Sequence, residues 1–421
     1  MTADPDDDEL ELIRRSGVVL RVGRLSLSSG TGSYRVKASM ARVARALGID
    51  RHEAHVTLTE ITTTSHRGAS FRTEVTEVRS VGINVDRLAA LERLAGRLDA
   101  SGRSTVEDVT ASLDRITAKP PLYPVALNAL WAAIACAAFS FLNHGGVVEI
   151  VGVFLGAFAG QALRRTMAHR GFNMFAVTMI CALVACLGYL AFVTLLELVG
   201  VTGVPHEAGY ISAVLFLIPG FPLVTGFLDL AKMDFSAGVA RLTYAVMVLT
   251  SAALAVWALS LVVGLTPEPA TAPALAPGVL LALRFVASFV GVLGFALMFN
   301  SPWRIAFAAA GIGMVANVPR IYLLEAGAPP QVGAALAALA VGLITAVVAP
   351  RLDVPRITVY VPAVTIMVPG VLAYQSVFHI SNGDTVEALA AGVEAALVVA
   401  SLAIGLAIAR MLTDRTWAYE R

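Results

Sequence analysis

Two Pro-Gly pairs interrupt apolar segments of this chain. They are Pro219-Gly220, which Pro222 follows closely, and Pro369-Gly370, which lies 150 positions further on. Proline lacks the amide donor that a helix interior needs and glycine lacks side-chain bulk, so each pair predicts an interrupted helix. The N–H groups after such a break favour a carboxylate, and the carbonyl groups before it can accept an ammonium group. Matched interruptions therefore predict a binding site within a membrane, and a simple proline kink in each helix is the alternative.

Polar side chains follow the two breaks at equal distances. Thr225 lies six residues after Pro219, Gln375 lies six residues after Pro369, and Tyr374 precedes Gln375. We predict that Thr225, Tyr374 and Gln375 bind substrate together with the break residues. Hydrogen bonding to a neighbouring helix is the alternative role.

Three carboxylates in or beside apolar segments could carry a proton. A buried carboxyl can take up and release a proton reversibly, so Asp229, Glu149 and Glu394 are candidate proton-coupling residues. Asp229 follows the first break. The alternatives are a solvated loop carboxylate beside Lys232 for Asp229, and an ion pair with Arg284 for Glu149 and Glu394.

Composition predicts that most of the chain lies in a membrane. The 421 residues are 57% hydrophobic and 14% charged, with a mean hydropathy of +0.75, whereas soluble domains carry about a quarter charged residues. About 20 apolar residues cross a bilayer, and ten candidate spans follow residue 120. They are roughly 124–142, 147–163, 172–197, 209–228, 239–264, 278–299, 304–323, 331–349, 357–377 and 387–410.

Basic residues in the loops predict the orientation. Eleven Lys and Arg residues, Lys232 and Arg241 among them, fall on one side of a ten-span arrangement, and only Arg284 and Arg320 fall on the other. Cytoplasmic loops are the ones rich in Lys and Arg. We therefore predict a protein of the bacterial inner membrane with both termini in the cytoplasm.

Residues 1–119 are predicted to form a cytosolic α+β domain. This part of the chain contains 18 of the 31 Lys and Arg residues, which indicates that it lies outside the membrane. Helical spacing covers 10–29, 33–48, 84–100 and 104–118, and alternation predicts strands at 55–62 and 70–78. Asn84 is the predicted cap of the third helix, and Ser104 with Glu107 forms a predicted capping box for the fourth.

A proline-rich stretch at 266–277 divides the ten spans into two groups of five, giving membrane halves 120–265 and 266–421. An odd number of spans forces the second half to insert upside down. We therefore predict two inverted five-helix repeats, an arrangement typical of alternating access in a polytopic α-helical transporter.

Several blocks of sequence resemble the threonine/serine exporter family in its fused two-half form. They are Ser29 to Val36 (SGTGSYRV), Gly82-Ile83-Asn84, Ile218 to Asp229, and Val361-Pro362-Ala363 through Gly370. The resemblance covers nearly the whole chain, and Asp229 ranks first among the candidate proton-coupling residues because it falls in one of these blocks. It implies export of L-threonine and L-serine, driven by protons, and no enzymatic activity.

Other functions lack a matching motif. We expect neither a metal nor another cofactor, because Cys136, Cys181 and Cys186 lie in apolar stretches and the histidines lack ligand spacing. No Walker A motif is present, and the basic residues of the amino-terminal part are mixed with acidic ones, which argues against nucleic-acid binding. The expected partners are an amino acid, protons and the bilayer, with a homo-oligomer left open. An exporter of another small metabolite, a membrane-embedded enzyme and a receptor remain as alternatives.

Overall fold

The amino-terminal part folds as helices around one small sheet. The structure, a computed structural model, describes residues 5–79, 82–200, 209–263 and 275–418. Its first elements are α1 (Pro5–Ser28), α2 (Ser33–Ala46), β1 (Arg51–Val56), β2 (Glu60–Arg67), β3 (Ser70–Glu77), α3 (Val85–Ser101) and α4 (Val106–Ala118). The strands pair antiparallel in the order β1-β2-β3. Apolar residues at helical spacing, such as Val19 on α1 and Met40 on α2, are fully buried in the core of this region.

The single strand predicted at 55–62 is wrong, because a tight turn divides it into β1 and β2. Thr57 N–H donates to Glu60 O at 2.9 Å, and Thr57 Oγ1 accepts from Glu60 N–H at 3.1 Å. A threonine hydroxyl can make this turn without Gly or Pro, so the usual turn signals are absent from the sequence.

The cap predicted for α3 is confirmed, and the cap of α4 lies one residue later than predicted. Asn84 Oδ1 accepts from Arg87 N–H at 3.0 Å. At α4, Thr105 Oγ1 accepts from Asp108 N–H at 3.2 Å and donates to Asp108 Oδ2 at 2.7 Å, so Thr105 takes the capping role predicted for Ser104. Ser104 N–H instead donates to Ala46 O at 2.9 Å, which holds Ser104 outside the helix.

Long apolar helices make up the rest of the chain. Eight helices in the described ranges are long and apolar enough to cross a membrane. They are α5 (Val125–Leu142), α6 (Val147–His169), α7 (Met174–Leu198), α10 (Phe235–Val263), α11 (Pro277–Met298), α12 (Trp303–Glu325), α13 (Pro330–Arg351) and α16 (Thr385–Thr413), and the short α17 (Arg415–Ala418) follows them. The protein is therefore a polytopic, mostly helical membrane protein. The proline-rich linker predicted to separate two halves lies mainly outside the described residues.

The two predicted helix breaks are confirmed. The first lies between α8 (Gly209–Ala213), which a 3₁₀ turn at Leu215–Leu217 extends, and α9 (Gly220–Ala231), with a bend of 58°. The second lies between α14 (Ile357–Thr365) and α15 (Gly370–Asn382), with a bend of 51°. Counting each bent pair as one span gives ten candidate spans in the described part of the chain.

The chain divides into two compact units that differ from the predicted domains. One unit joins Met1–Leu122 with Thr225–Leu242 and Ala349–Thr358, and the other contains Tyr123–Val224, Thr243–Val348 and Val359–Arg421. The first unit thus includes the end of α9 and the start of α10 besides the amino-terminal region. Whether residues 1–119 form a separate domain stays a prediction.

Close packing of α6 on α7 depends on small residues. A Cβ atom on Gly156 would lie 2.3 Å from the carbonyl oxygen of Ala185, and one on Gly160 would lie 3.0 Å from that of Cys181. Because only glycine lets the two backbones approach this closely, these positions build the helix pair rather than a binding surface.

Candidate functional site

The two helix breaks pack against each other in a reciprocal manner. A Cβ atom on Gly220 would lie 3.3 Å from Thr365 Cγ2 and 3.6 Å from Val368 Cγ2. A Cβ atom on Gly370 would lie 2.0 Å from Ile218 Cδ1 and 2.8 Å from Leu215 Cδ2. Residues 365, 368 and 370 are the counterparts of 215, 218 and 220 at the separation of 150 positions. Each glycine therefore faces the residues that precede the other break.

Backbone hydrogen bonds repeat with the same separation. Gly220 N–H donates to Ile218 O at 2.9 Å, and Gly370 N–H donates to Val368 O at 2.9 Å. The helices after the two breaks, α9 and α15, are followed by α10 and α16, which have 29 residues each and begin at residues 235 and 385. The second break thus repeats the local geometry of the first.

A cavity of about 300 Å³ opens beside the second break. Of the predicted site residues, Pro369, Gly370 and Glu394 line it. Its other polar lining residues, none of which the sequence analysis placed in a binding site, are Asn143, His144, Asn317, Arg320 and Glu325. The structure therefore combines a broken helix with charges of both signs around one cavity.

Arg320 is held in place by an amide. Its Nε–H donates to Asn317 Oδ1 at 3.2 Å, and Asn317 Nδ2 donates in turn to Ser288 Oγ at 3.0 Å. These hydrogen bonds fix the position of Arg320 Nε. The two terminal nitrogens of the Arg320 guanidinium have no hydrogen-bond partner among the residues described.

Arg284 pairs with Glu325, so the pairing suggested for it with Glu149 or Glu394 is wrong. Arg284 Nη1 donates to Glu325 Oε2 at 2.8 Å, and the second nitrogen contacts the other carboxylate oxygen, which makes the pair bidentate. In the described chain, Glu394 makes neither a hydrogen bond nor an ion pair.

The remaining predicted substrate residues of this unit lie elsewhere. Tyr374 is buried, and its hydroxyl lies 3.0 Å from that of Tyr210. Gly370 and Tyr374 border a small, mostly apolar void of about 30 Å³. Pro222 lies in the first turn of α9 and Gln375 is half-buried on α15, and neither lines the cavity or the void.

Thr225 and Asp229 belong to the unit that contains the amino-terminal region, and both are buried. Asp229 Oδ1 accepts from Ser33 N–H at 2.9 Å, and a Cβ atom on Gly32 would lie only 2.8 Å from that oxygen. Because Ser33 is the first residue of α2, the carboxylate of Asp229 satisfies an N–H group at the start of that helix. The solvated-loop alternative for Asp229 is therefore wrong.

Arg241 completes a buried ion pair with Asp229. Its Nε lies 3.0 Å from Asp229 Oδ2, and its Nη2 donates to Thr31 O at 2.8 Å. Arg241 is thus no loop residue, contrary to the sequence analysis, but a buried residue of α10. Asp234, just before α10, accepts from Ser33 Oγ at 2.7 Å and pairs with Lys37.

Glu149 lies at the third position of α6 and is largely buried. A Cβ atom on Gly146, the residue before that helix, would lie 2.9 Å from Glu149 Oε2, so the carboxylate turns back towards the helix start. A negative charge is stabilised there by the helix dipole.

Comparison with known proteins identifies the family. The sequence profile described as "Putative threonine/serine exporter" (ThrE) matches residues 17–263, more than half of the chain. The chain belongs to this family. A second profile of the same family, described as "Threonine/Serine exporter, ThrE", matches residues 284–412, so the two profiles together cover both parts of the fused form.

Curated relatives agree with this family assignment. The "Threonine/serine exporter" of Corynebacterium glutamicum is 25% identical over 404 residues, which are 94% of this chain and 81% of the relative. The "Probable threonine/serine exporter" of Mycobacterium tuberculosis is 26% identical over 426 residues, with 97% and 78% covered. The "Probable succinate transporter subunit YjjP" of Escherichia coli is 28% identical over 255 residues, with 57% of this chain and 93% of the relative covered. No solved structure matches the chain.

In this member of the exporter family, sequence blocks far apart in the chain meet around Asp229. Asn84 N–H donates to Ser29 O at 3.2 Å, and a Cβ atom on Gly30 would lie 2.9 Å from Gly82 O. The block around Ser29, the block around Gly82 and the end of the first broken helix therefore form one junction. Each block is recognisable in the sequence, but separations of about 50 and 200 residues carry no periodic signal that would place the blocks together.

Proposed function

We propose that this protein is a secondary active exporter of small hydroxy amino acids, L-threonine and L-serine, that works by proton antiport. Membership of the threonine/serine exporter family supports export as the activity, and two relatives that share most of their length with this chain carry that name. The chain is then a multi-pass protein of a bacterial membrane whose substrate is a small molecule.

The reciprocal packing of the two breaks carries the proposal. Gly220 faces Thr365 and Gly370 faces Ile218, and a twofold relation between two inverted repeats would produce such paired contacts. In the proposed mechanism, the halves 120–265 and 266–421 rock about this crossing, and residues 1–119 act as the cytosolic domain. The broken helices would open the substrate site alternately to the two sides of the membrane.

Among the three candidate carboxylates, Glu394 is supported best as the proton carrier. It lines the cavity at the second break, and no residue in the described ranges pairs with it. Asp229, which ranked first from the sequence, pairs with Arg241 and accepts from a backbone N–H group, and it does not line this cavity. If a proton and the substrate ammonium group compete for Glu394, each excludes the other, which is the requirement for antiport.

Neutralising Glu394 is expected to uncouple export from the proton gradient. In proteoliposomes, Glu394→Gln should lose threonine accumulation driven by a proton gradient and keep some threonine exchange, because the amide oxygen still accepts from the ammonium group. Glu149→Gln and Asp229→Asn serve as parallel variants. Gradient-driven accumulation by all three variants would reject carboxyl-based coupling at these positions.

The relative named as a succinate transporter subunit supports a second candidate, export of another small metabolite such as a dicarboxylate. The same vesicles distinguish the two, because the exporter proposed here should exchange labelled threonine and serine and should fail to exchange labelled succinate.

We also propose that both termini face the cytoplasm. A cysteine introduced at position 271, in the linker between the two halves, should react with an impermeant thiol reagent added outside intact cells, whereas Arg351→Cys should not react. The three native cysteines are buried, so background labelling is expected to be low. The reverse labelling pattern would contradict this orientation.

A further inference from the structure

We propose that Arg320 and Glu394 recognise the two opposite charges of a zwitterionic amino acid in the cavity beside the second break. Arg320 would bind the substrate carboxylate and Glu394 its ammonium group. This inference rests on the proposed export function and names the residues that select its substrate class.

The charges around the cavity point to a zwitterion. Its lining contains the charged residues Arg320, Glu325 and Glu394. Glu325 is neutralised by its bidentate contact with Arg284, while Arg320 and Glu394 have no ion pair within the part of the chain that is described. One cation and one anion thus remain available to a ligand.

The geometry prepares Arg320 for a carboxylate. Asn317 engages Nε of the guanidinium, which leaves the two terminal nitrogens for a bidentate contact. Gly370, the first residue of the 13-residue helix α15, lines the same cavity, so the start of that helix adds to the preference for a negative charge. The cavity volume of about 300 Å³ is sufficient for a small amino acid.

Glu394 would discriminate against dicarboxylates. It lies on α16, whereas Arg320 lies on α12, so the two charges reach the cavity from different helices. A dicarboxylate that placed one end at Arg320 would bring its second negative charge into a cavity that holds an uncompensated carboxylate. Like charges in a site of reduced dielectric repel each other, so the arrangement favours an amino acid over succinate.

Substrate analogues test these two contacts separately. We would measure inhibition of labelled threonine exchange by threonine, by threoninol, which lacks the carboxylate, and by 3-hydroxybutyrate, which lacks the amine. In the wild type each analogue should bind on the order of 100-fold more weakly than threonine, as expected when one partner of a buried charged contact is missing. Arg320→Gln should raise the KM for threonine by a similar factor and reduce the difference between threonine and threoninol to a few-fold. Glu394→Gln should likewise raise the KM for threonine, and it should reduce the difference between threonine and 3-hydroxybutyrate to a few-fold.

Control variants separate charge recognition from damage to the fold. Arg304→Gln removes an exposed arginine from the same helix, outside the cavity lining, and should leave the KM unchanged. Arg320→Lys keeps the charge and should retain part of the preference for threonine over threoninol. Should Arg320→Gln fail to fold, the wild-type analogue series decides, since equal inhibition by threonine and threoninol would overturn the inference.

The outcomes also distinguish this inference from the proposed function. If the wild-type protein exchanges no threonine, the export function itself fails. If it exchanges threonine and Arg320→Gln leaves both the KM and the analogue ratios unchanged, the export function stands and the recognition by Arg320 is wrong.

Discussion

Replacement of Arg241 by methionine is expected to cost about 3–5 kcal/mol of folding stability, because it leaves a buried carboxylate without its partner. Arg241 is 2% exposed and Asp229 is fully buried, so water cannot replace the lost contact. The substitution also removes the hydrogen bond to Thr31 O. The expected result is a clearly lower midpoint of thermal unfolding for Arg241→Met in detergent.

A double variant separates the ion pair from simple packing. Asp229→Asn together with Arg241→Met removes both charges, and the asparagine can still accept from Ser33 N–H. The double variant should therefore be more stable than Arg241→Met alone. Exposed Arg304→Met should leave the midpoint unchanged. An unchanged midpoint for Arg241→Met would show that the pair contributes little.

Replacement of Gly370 by leucine is expected to abolish threonine export while the protein still reaches the membrane. A Cβ atom there would already lie 2.0 Å from Ile218 Cδ1, so a leucine side chain would force the two broken helices apart. Gly220 has more space, with its nearest neighbour at 3.3 Å, so Gly220→Ala should be tolerated better than Gly370→Ala. Uptake of labelled threonine into inverted vesicles measures the difference.

A compensating substitution tests whether packing or substrate binding is affected. Ile218→Ala removes the side chain nearest to residue 370, so Gly370→Ala with Ile218→Ala should recover export if the defect lies in the crossing of the helices. If the glycine is needed for the backbone to approach the substrate carboxylate, the double variant stays inactive. Full export by Gly370→Leu would contradict both roles.

The sequence predicted the breaks well because their signal is local. Proline and glycine act on the backbone of their own segment, so Pro219 and Pro369 located both bends without any tertiary information. The long apolar helices were predictable for the same reason, since span length and hydropathy depend on consecutive residues.

The partners of the charged residues could not be predicted, because they depend on contacts across the chain. Arg241 was grouped with solvated loop charges and is buried against Asp229, and Arg284 was assigned to other carboxylates and pairs with Glu325. From the sequence, Arg320 contributed only to the predicted orientation of the chain in the membrane. That it lines one cavity with Glu394 and the second break depends on the packing of three helices that are separated in sequence.

The contact between Asp229 and α2 has a consequence for biosynthesis. The ribosome makes α2 nearly 200 residues before Asp229, so the start of this helix lacks its carboxylate partner until the fourth span has been synthesised. A missing cap typically costs about 1 kcal/mol. A fragment that ends at residue 119 would lack Asp229, Asp234 and Arg241 permanently. We expect such a fragment to be less stable than the same region of the full chain, unless a separately expressed membrane part supplies these residues.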